Sequence, residues 1–70
     1  MPYVNIRLVG DDEAPTAEQK AILIKGVTDL LVETLGKNPN TTVVVIDEVP
    51  KDNWGIAGET ITVRRGKTPR

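Results

Sequence analysis

A continuous run of β-branched residues, VVVI at positions 43–46, lies within the segment TTVVVIDEV at positions 41–49. β-branched side chains favour strands, and an unbroken apolar run is typical of a strand that is covered on both faces. The chain has only 70 residues, and a domain of about 60 residues buries only about 60 % of its unfolded surface. The run therefore predicts a buried strand in a chain that is too short to cover both of its faces.

Two further elements precede this strand. Residues 4–9 (VNIRLV) alternate apolar and polar side chains, which predicts a strand. Thr16 and Gln19 have the spacing of a helix capping box, and Gly36 suits a C-cap, so we expect a helix between them. Strand, helix and strand together form a β-α-β unit with parallel strands and a right-handed crossover. The fold class is therefore α/β (α+β).

The last third of the chain predicts a short C-terminal strand or hairpin. Residues 50–59 (PKDNWGIAGE) are rich in turn residues, and 59–65 (ETITVRR) alternate, with Ile61 and Val63 on one face. We interpret residues 1–70 as a single domain, of which 61–70 are partly a C-terminal strand and tail. One helix covers one face of the sheet, so another subunit has to cover the other. The chain is expected to form a homo-oligomer.

Composition excludes several classes of chemistry. The sequence has no cysteine and no histidine, which excludes disulfides, zinc fingers and Ser-His or Cys-His catalysis. The acidic cluster Asp11, Asp12 and Glu13 lacks the spacing of a calcium loop, so we expect a solvated loop and no metal site. A net charge of −1 predicts no nucleic-acid partner. No apolar run approaches the roughly 20 residues of a membrane span, and no signal peptide is evident, so a cytoplasmic location is expected.

The second residue, Pro2, has two interpretations. Proline is tolerated at the first position of a strand because its missing N–H is not needed there. Alternatively, removal of Met1 converts the proline nitrogen from an amide into a secondary amine that can accept a proton. The α-amino group has an ordinary pKa of about 7.7–8.0, and burial or a nearby cation lowers that pKa towards the value at which a general base works best.

Three segments of the chain are distinctive: MPYVNIRLVG at the amino terminus, TAEQKAILIKGVTDLL in the helix, and VVVIDEVPKDNWGIAGE after it. Together they resemble the 4-oxalocrotonate tautomerases, the short single-domain members of the tautomerase superfamily. The resemblance extends from Met1 to about Arg65. Its most specific features are Pro2 behind Met1 and the Trp54-Gly55-Ile56-Ala57-Gly58-Glu59 turn.

The resemblance implies a fold, an assembly and a set of site residues. It implies β-α-β subunits in a homohexamer, a trimer of dimers, and an isomerase of the intramolecular oxidoreductase type that needs no cofactor. Pro2 occupies the position of the general base, which moves a proton within a small 2-oxo or 2-hydroxy-dienoic acid. Trp54 matches an aromatic wall of the active site, Arg65 an arginine near the pocket mouth, and Thr41 a small hydroxyl residue at the start of the second strand.

The sequence also departs from the family pattern. Family members that act on dicarboxylates carry one arginine before the helix and another early in the second strand, where this chain has Pro15 and Val43. Arg65 is the remaining match, with Arg7, Lys51 and Arg64 as unproven substitutes. We therefore expect weak activity on dicarboxylates and a relative preference for monoacids.

Two alternatives to a tautomerase remain open. One is a hydratase or hydrolytic dehalogenase on the same scaffold, in which Pro2 stays protonated and a carboxylate activates water. The candidate carboxylates are Asp11, Asp12, Glu13 and Asp47. The other alternative is a binding or assembly module with a vestigial site, for which the two absent arginines are the argument.

Overall fold

Two parallel strands form the main sheet of the computed structural model, which describes residues 1–67. Strand β1 is Tyr3–Val9 and strand β2 is Val43–Val49. Their register is uninterrupted, from Tyr3 beside Val43 to Val9 beside Val49. The predicted β-α-β unit with parallel strands is confirmed. The strand predicted from position 41 begins at Val43, because residues 39–41 form a 3-10 turn.

Helix α1, Ala17–Leu35, connects the two strands and has the predicted caps at both ends. The backbone N–H of Gln19 donates to Thr16 Oγ1 at 3.1 Å, and the backbone N–H of Thr16 donates to Gln19 Oε1 at 2.9 Å. These reciprocal bonds are the capping box that the sequence indicated. At the other end Gly36 has φ 66° and donates its N–H back into the last turn. Glycine adopts this left-handed conformation without a steric penalty.

Helix α1 covers one face of the sheet and leaves the other open. The ammonium of Lys20 in α1 contacts Glu48 Oε1 in β2 at 2.8 Å, so the face that carries Glu48 points to the helix. Alternate side chains point to the opposite face, and Tyr3 there is 65 % exposed. We call this second surface the open face. Its members are Tyr3, Asn5, Arg7, Val9, Val43, Val45, Asp47 and Val49.

The C-terminal part contains a hairpin followed by a second helix. Strands β3, Gly55–Ile56, and β4, Glu59–Thr60, pair antiparallel, and the two residues between them have φ 54° and 84°. Two positive φ values are the signature of a type I′ hairpin loop. Helix α2, Ile61–Lys67, begins directly after β4. The predicted hairpin is therefore confirmed.

The strand predicted to continue through position 65 is wrong. Thr60 Oγ1 accepts a hydrogen bond from the backbone N–H of Val63 at 3.2 Å, as an N-cap residue does at the start of a helix. Ile61 is buried and Val63 is exposed, so the two side chains do not share a face. The predicted tail at residues 68–70 lies outside the described residues.

The described chain has very little core of its own. Within residues 1–67, Ile61 is the one apolar side chain that is buried, at 5 % exposure, whereas Ile22 and Leu30 on α1 are 64 % and 60 % exposed. The radius of gyration is 15.6 Å, against about 11 Å expected for a compact domain of this length. These values agree with a subunit that buries its apolar surface against other subunits.

Candidate functional site

Pro2 lies directly before β1, at the amino-terminal end of the sheet. Its carbonyl accepts a hydrogen bond from the backbone N–H of Val43 at 3.0 Å, and its ring is half-buried. This bond fixes Pro2 against the first residue of β2. Met1 is 93 % exposed.

Thr41 belongs to the same end of the sheet, but it does not lie in the strand. It is the last residue of the 3-10 turn Pro39–Thr41, and its hydroxyl donates to the carbonyl of Asn38 at 3.3 Å. The expectation that Thr41 begins the second strand is therefore wrong by two residues. The half-buried hydroxyl stays near the start of β2.

Trp54 lies at the opposite end, beyond the last residue of β2. It follows the 3-10 turn Lys51–Asn53, and its carbonyl accepts a hydrogen bond from the backbone N–H of Ile61 at 2.8 Å. The half-buried indole borders two open clefts of about 470 Å³ and 260 Å³. The larger cleft is lined by Arg7, Leu8, Val9, Glu13, Ala14, Pro15, Gln19 and Trp54. The smaller cleft is lined by Arg7, Val49, Asn53, Trp54 and Gly55.

The full length of β1 separates Pro2 from the clefts beside Trp54. Strand β1 has seven residues, and a strand rises about 3.3 Å per residue, so the separation is roughly 20 Å. Pro2 and Thr41 thus lie at one end of the sheet, and Trp54 lies at the other. A single chain does not bring the predicted base and the predicted aromatic wall together.

Arg65 lies at the Trp54 end, where Glu13 holds it in an ion pair. Glu13 also lines the larger cleft, whereas Arg65 itself lines neither cleft. Because the Glu13 carboxylate already compensates the charge of Arg65, a ligand in the cleft meets a neutral pair rather than a free cation.

The other two acids of the cluster are bound as well. Asp11 Oδ2 accepts the backbone N–H of Lys51 at 2.9 Å, and Asp12 pairs with the ammonium of Lys51. The hydrogen bond from Lys51 lowers the pKa of Asp12. The acidic loop was expected to be solvated. Asp12 remains 75 % exposed, but Asp11 and Asp12 bind the loop to Lys51, in the segment that precedes Trp54.

Asn5, Arg7 and Asp47 form a polar cluster on the open face. Asn5 Nδ2 donates to Asp47 Oδ2 at 2.7 Å, and Arg7 Nη2 lies 3.4 Å from the same oxygen. The hydrogen bond from Asn5, followed by that from Arg7, lowers the pKa of Asp47. Arg7 also lines both clefts beside Trp54.

Sequence reasoning did not single out Arg7 among the possible substitute cations. The signal was nevertheless present in the strand alternation. Arg7 is near the carboxyl end of β1, on the face opposite Leu8, and parallel strands place their carboxyl ends at one edge of a sheet. The segment after β2 therefore meets Arg7, and Trp54 lies in that segment.

Apolar residues occupy the two positions at which the family pattern has arginines. Pro15 lines the larger cleft, and Val43 is the first residue of β2, where it is 44 % exposed. Neither side chain carries charge or donates a hydrogen bond. The Trp54 end of the chain therefore lacks the cation that an arginine at position 15 would supply.

The part of the chain that the structure describes lacks two other kinds of feature. Residues 1–67 contain no group of three or more acidic side chains arranged to hold a metal ion. No helix within the same residues has the length and apolar character needed to cross a bilayer.

Comparisons with known proteins identify relatives along nearly the whole chain. The model of the tautomerase enzyme family matches residues 2–64. A probable tautomerase from Dickeya dadantii is 68 % identical over 65 residues, which cover 93 % of this chain and 94 % of that protein. The 2-hydroxymuconate tautomerase from Bacillus subtilis is 37 % identical over 62 residues, 89 % of this chain and 95 % of its own. The crystal structure of DmpI from Helicobacter pylori superposes with a TM-score of 0.80 at 48 % identity, covering 89 % of this chain and 98 % of that one.

Proposed function

The chain belongs to the tautomerase family, whose members are isomerases, and we propose that Pro2, freed by removal of Met1, is the general base of its reaction. The substrate is a small 2-hydroxy-dienoic or 2-oxo acid, and no cofactor takes part. One observation carries the proposal. Pro2 lies directly before β1, and its carbonyl accepts a hydrogen bond from the backbone N–H of Val43, which fixes the position of the proline at the end of the sheet.

The chemistry follows from the free amine. The lone pair of the neutral proline nitrogen accepts a proton from the substrate and returns it at another carbon, so the double bond shifts while no atom is gained or lost. The ring fixes the direction of the nitrogen, and little orientational freedom is lost in the reaction. Trp54 supplies an apolar wall, while Thr41 and Arg65 are proposed to contribute substrate contacts.

We further propose that two copies of the chain complete each site. Among residues 1–67, β1 pairs with β2 along one edge only, and its other edge is available to a second copy. Antiparallel pairing of two β1 strands brings Pro2 of one copy to the Trp54 end of the other. The separation of about 20 Å along a seven-residue strand supports this arrangement.

The assembly is proposed to be a homohexamer, a trimer of dimers, with no folded monomer at micromolar concentration. The exposed Ile22 and Leu30 support it, because both side chains would remain in water on a free chain. Sedimentation tests the proposal with Ile22→Glu, which should dissociate the assembly, and with Lys25→Glu as the matched control. The Lys25 side chain is 77 % exposed. A folded monomer of the unaltered chain contradicts the proposal.

A hydratase or hydrolytic dehalogenase remains the second candidate. Of the four candidate carboxylates, Asp11, Asp12 and Glu13 are engaged by Lys51 or Arg65. Asp47 is hydrogen-bonded by Asn5 and Arg7, which lower its pKa and make it a weaker base towards water, but among the described residues it is the candidate that no cation of the Trp54 loop or α2 engages. Chloride release from 3-chloroacrylate, lost in Asp47→Asn, would favour this candidate over the tautomerase.

Intact mass and turnover test the role of Pro2. Mass spectrometry should show a chain that begins at Pro2, and a preparation that retains Met1 should lose about 100-fold or more in kcat, the contribution of a positioned base. Pro2→Ala, which keeps a free amine without the ring, is the control for chain processing. Full activity in a protein that retains Met1 contradicts the mechanism.

A further inference from the structure

Three cations of the described chain either line the clefts beside Trp54 or pair with an acid of the loop before α1, and two of them are held in ion pairs. Lys51 pairs with Asp12 and is only 24 % exposed, and Arg65 pairs with Glu13. The third, Arg7, is 63 % exposed in the single chain. Among the described residues that line either cleft, Arg7 is the one cation.

The contact between Arg7 and Asp47 leaves most of the guanidinium available. Its 3.4 Å separation is longer than the roughly 2.7–2.9 Å of a strong charged hydrogen bond. Asn5 binds the same carboxylate oxygen at 2.7 Å, so Asp47 does not depend on Arg7 for a donor. A guanidinium has five N–H donors in a planar fork that fits a carboxylate. The fork of Arg7 can therefore accept a ligand carboxylate while Asn5 continues to hold Asp47.

We propose that Arg7 binds the carboxylate of the substrate beside Trp54 and so replaces the arginines that are absent at positions 15 and 43. This inference rests on the proposed tautomerase function. Because Arg7 and Trp54 together line both clefts, a carboxylate on the fork of Arg7 places the rest of the ligand near Trp54. Arg65 contributes less, since Glu13 compensates its charge.

The arrangement selects a class of ligand. One cation binds one carboxylate, and the indole of Trp54 offers an apolar surface to an aryl or alkyl group. Arg65 neutralises Glu13 in the lining of the larger cleft, so among the described residues the lining offers no second free cation to another acidic group on the ligand. The favoured ligand is a 2-oxo or enol monoacid with an apolar substituent.

Binding can be measured without turnover, because Trp54 is the single tryptophan of the chain. We would titrate the assembled protein with 3-phenylpropionate, and with 3-phenylpropanamide as the neutral control, and follow Trp54 fluorescence. The acid should bind more tightly than the amide. In Arg7→Met the affinity for the acid should fall about 10- to 100-fold, as expected for loss of a hydrogen bond between charged groups, while the affinity for the amide is unchanged.

Two further variants decide between a binding role and a structural one. Lys25→Met, the matched control, removes an exposed cation of α1 that lines neither cleft, and it should leave the affinity for the acid unchanged. Asp47→Asn removes the carboxylate that competes for Arg7 and should tighten binding of the acid. A purely structural role for Arg7 does not predict tighter binding, so this variant decides the question if Arg7→Met fails to assemble.

The results separate this inference from the proposed function. Equal affinity of the unaltered protein and Arg7→Met for the acid, or no change in Asp47→Asn, overturns the role of Arg7 whether or not the enzyme tautomerises its substrate. Binding that depends on Arg7 in a protein without tautomerase activity supports the role of Arg7 and contradicts the proposed function. Turnover of phenylenolpyruvate against its methyl ester provides the kinetic counterpart, because only the acid carries the charge.

Discussion

The carboxylate of Glu13, in the loop before α1, forms an ion pair with Arg65 of α2. The pair connects the wall of the larger cleft to the C-terminal helix, and its side chains are 40 % and 31 % exposed. It therefore joins two segments that are distant in sequence.

A double-mutant cycle of Glu13→Gln and Arg65→Met should give a coupling of about 0.5 kcal/mol, the typical value for a partly exposed pair. Urea unfolding at fixed protein concentration measures it. Arg65→Met should lower kcat/KM for phenylenolpyruvate only about 3-fold, because Arg65 lines neither cleft beside Trp54. A loss comparable to that in Arg7→Met would give Arg65 the main carboxylate contact instead.

Acid should destabilise the unaltered protein more than Asp47→Asn. The pKa of Asp47 is lowered from its usual 3.8 by Asn5 and Arg7, so the ionised form stabilises the fold above the unfolded pKa. That contribution is lost as pH falls through the lower folded pKa. The difference in urea midpoint between the two proteins should be constant from about pH 5 to 7 and shrink below about pH 4. A difference that persists at pH 2 contradicts this assignment.

The hairpin loop contains a strained residue. Ala57 has φ 54°, a left-handed conformation that costs a residue with a β-carbon roughly 1–2 kcal/mol. Ala57→Gly should raise the free energy of unfolding by about 0.5–1 kcal/mol after the entropy cost of glycine. Ala14→Gly is the matched control, because Ala14 has φ −61° and gains no relief from strain. If both variants lower the stability, the left-handed assignment at Ala57 is wrong.

Substrate choice should depart from that of dicarboxylate tautomerases. Pro15 and Val43 offer no donor for a second carboxylate, and removal of one donor to a developing oxyanion costs about 100- to 1,000-fold in kcat elsewhere. We expect slow turnover of 2-hydroxymuconate and a higher kcat/KM for phenylenolpyruvate. A preference of several orders of magnitude for the dicarboxylate shows that another cation compensates for both positions.

Local signals explain which parts of the fold could be predicted from the sequence. The caps at Thr16 and Gly36 depend on residues within one turn of the helix, so sequence alone reveals them. The alternation at Ile61 and Val63 was ambiguous, since two apolar residues fit either a strand or one helical turn. The cap that decides between them is Thr60, whose hydroxyl accepts the Val63 N–H.

The site was harder to predict because it depends on contacts between distant segments. The chain order already implied that Pro2 and Trp54 lie apart, since one precedes the first parallel strand and the other follows the second. Which acid binds which base could not be derived, because Glu13 and Arg65 are separated by most of the chain. For the same reason the sequence did not distinguish Arg7 from the other candidate cations.

Mixing two inactive variants tests the central claim, that Pro2 of one chain acts beside Trp54 of another. In a preparation that retains Met1 the Pro2 nitrogen is an amide and accepts no proton, and Trp54→Glu removes the apolar wall. Each homo-oligomer should be nearly inactive with phenylenolpyruvate. After equal amounts are unfolded and reassembled together, about a quarter of the sites in a random symmetric assembly combine both unaltered residues, and activity should return to about that fraction. If mixed oligomers form, as mass spectrometry would show, and remain as inactive as the separate variants, Pro2 and Trp54 do not form a shared site.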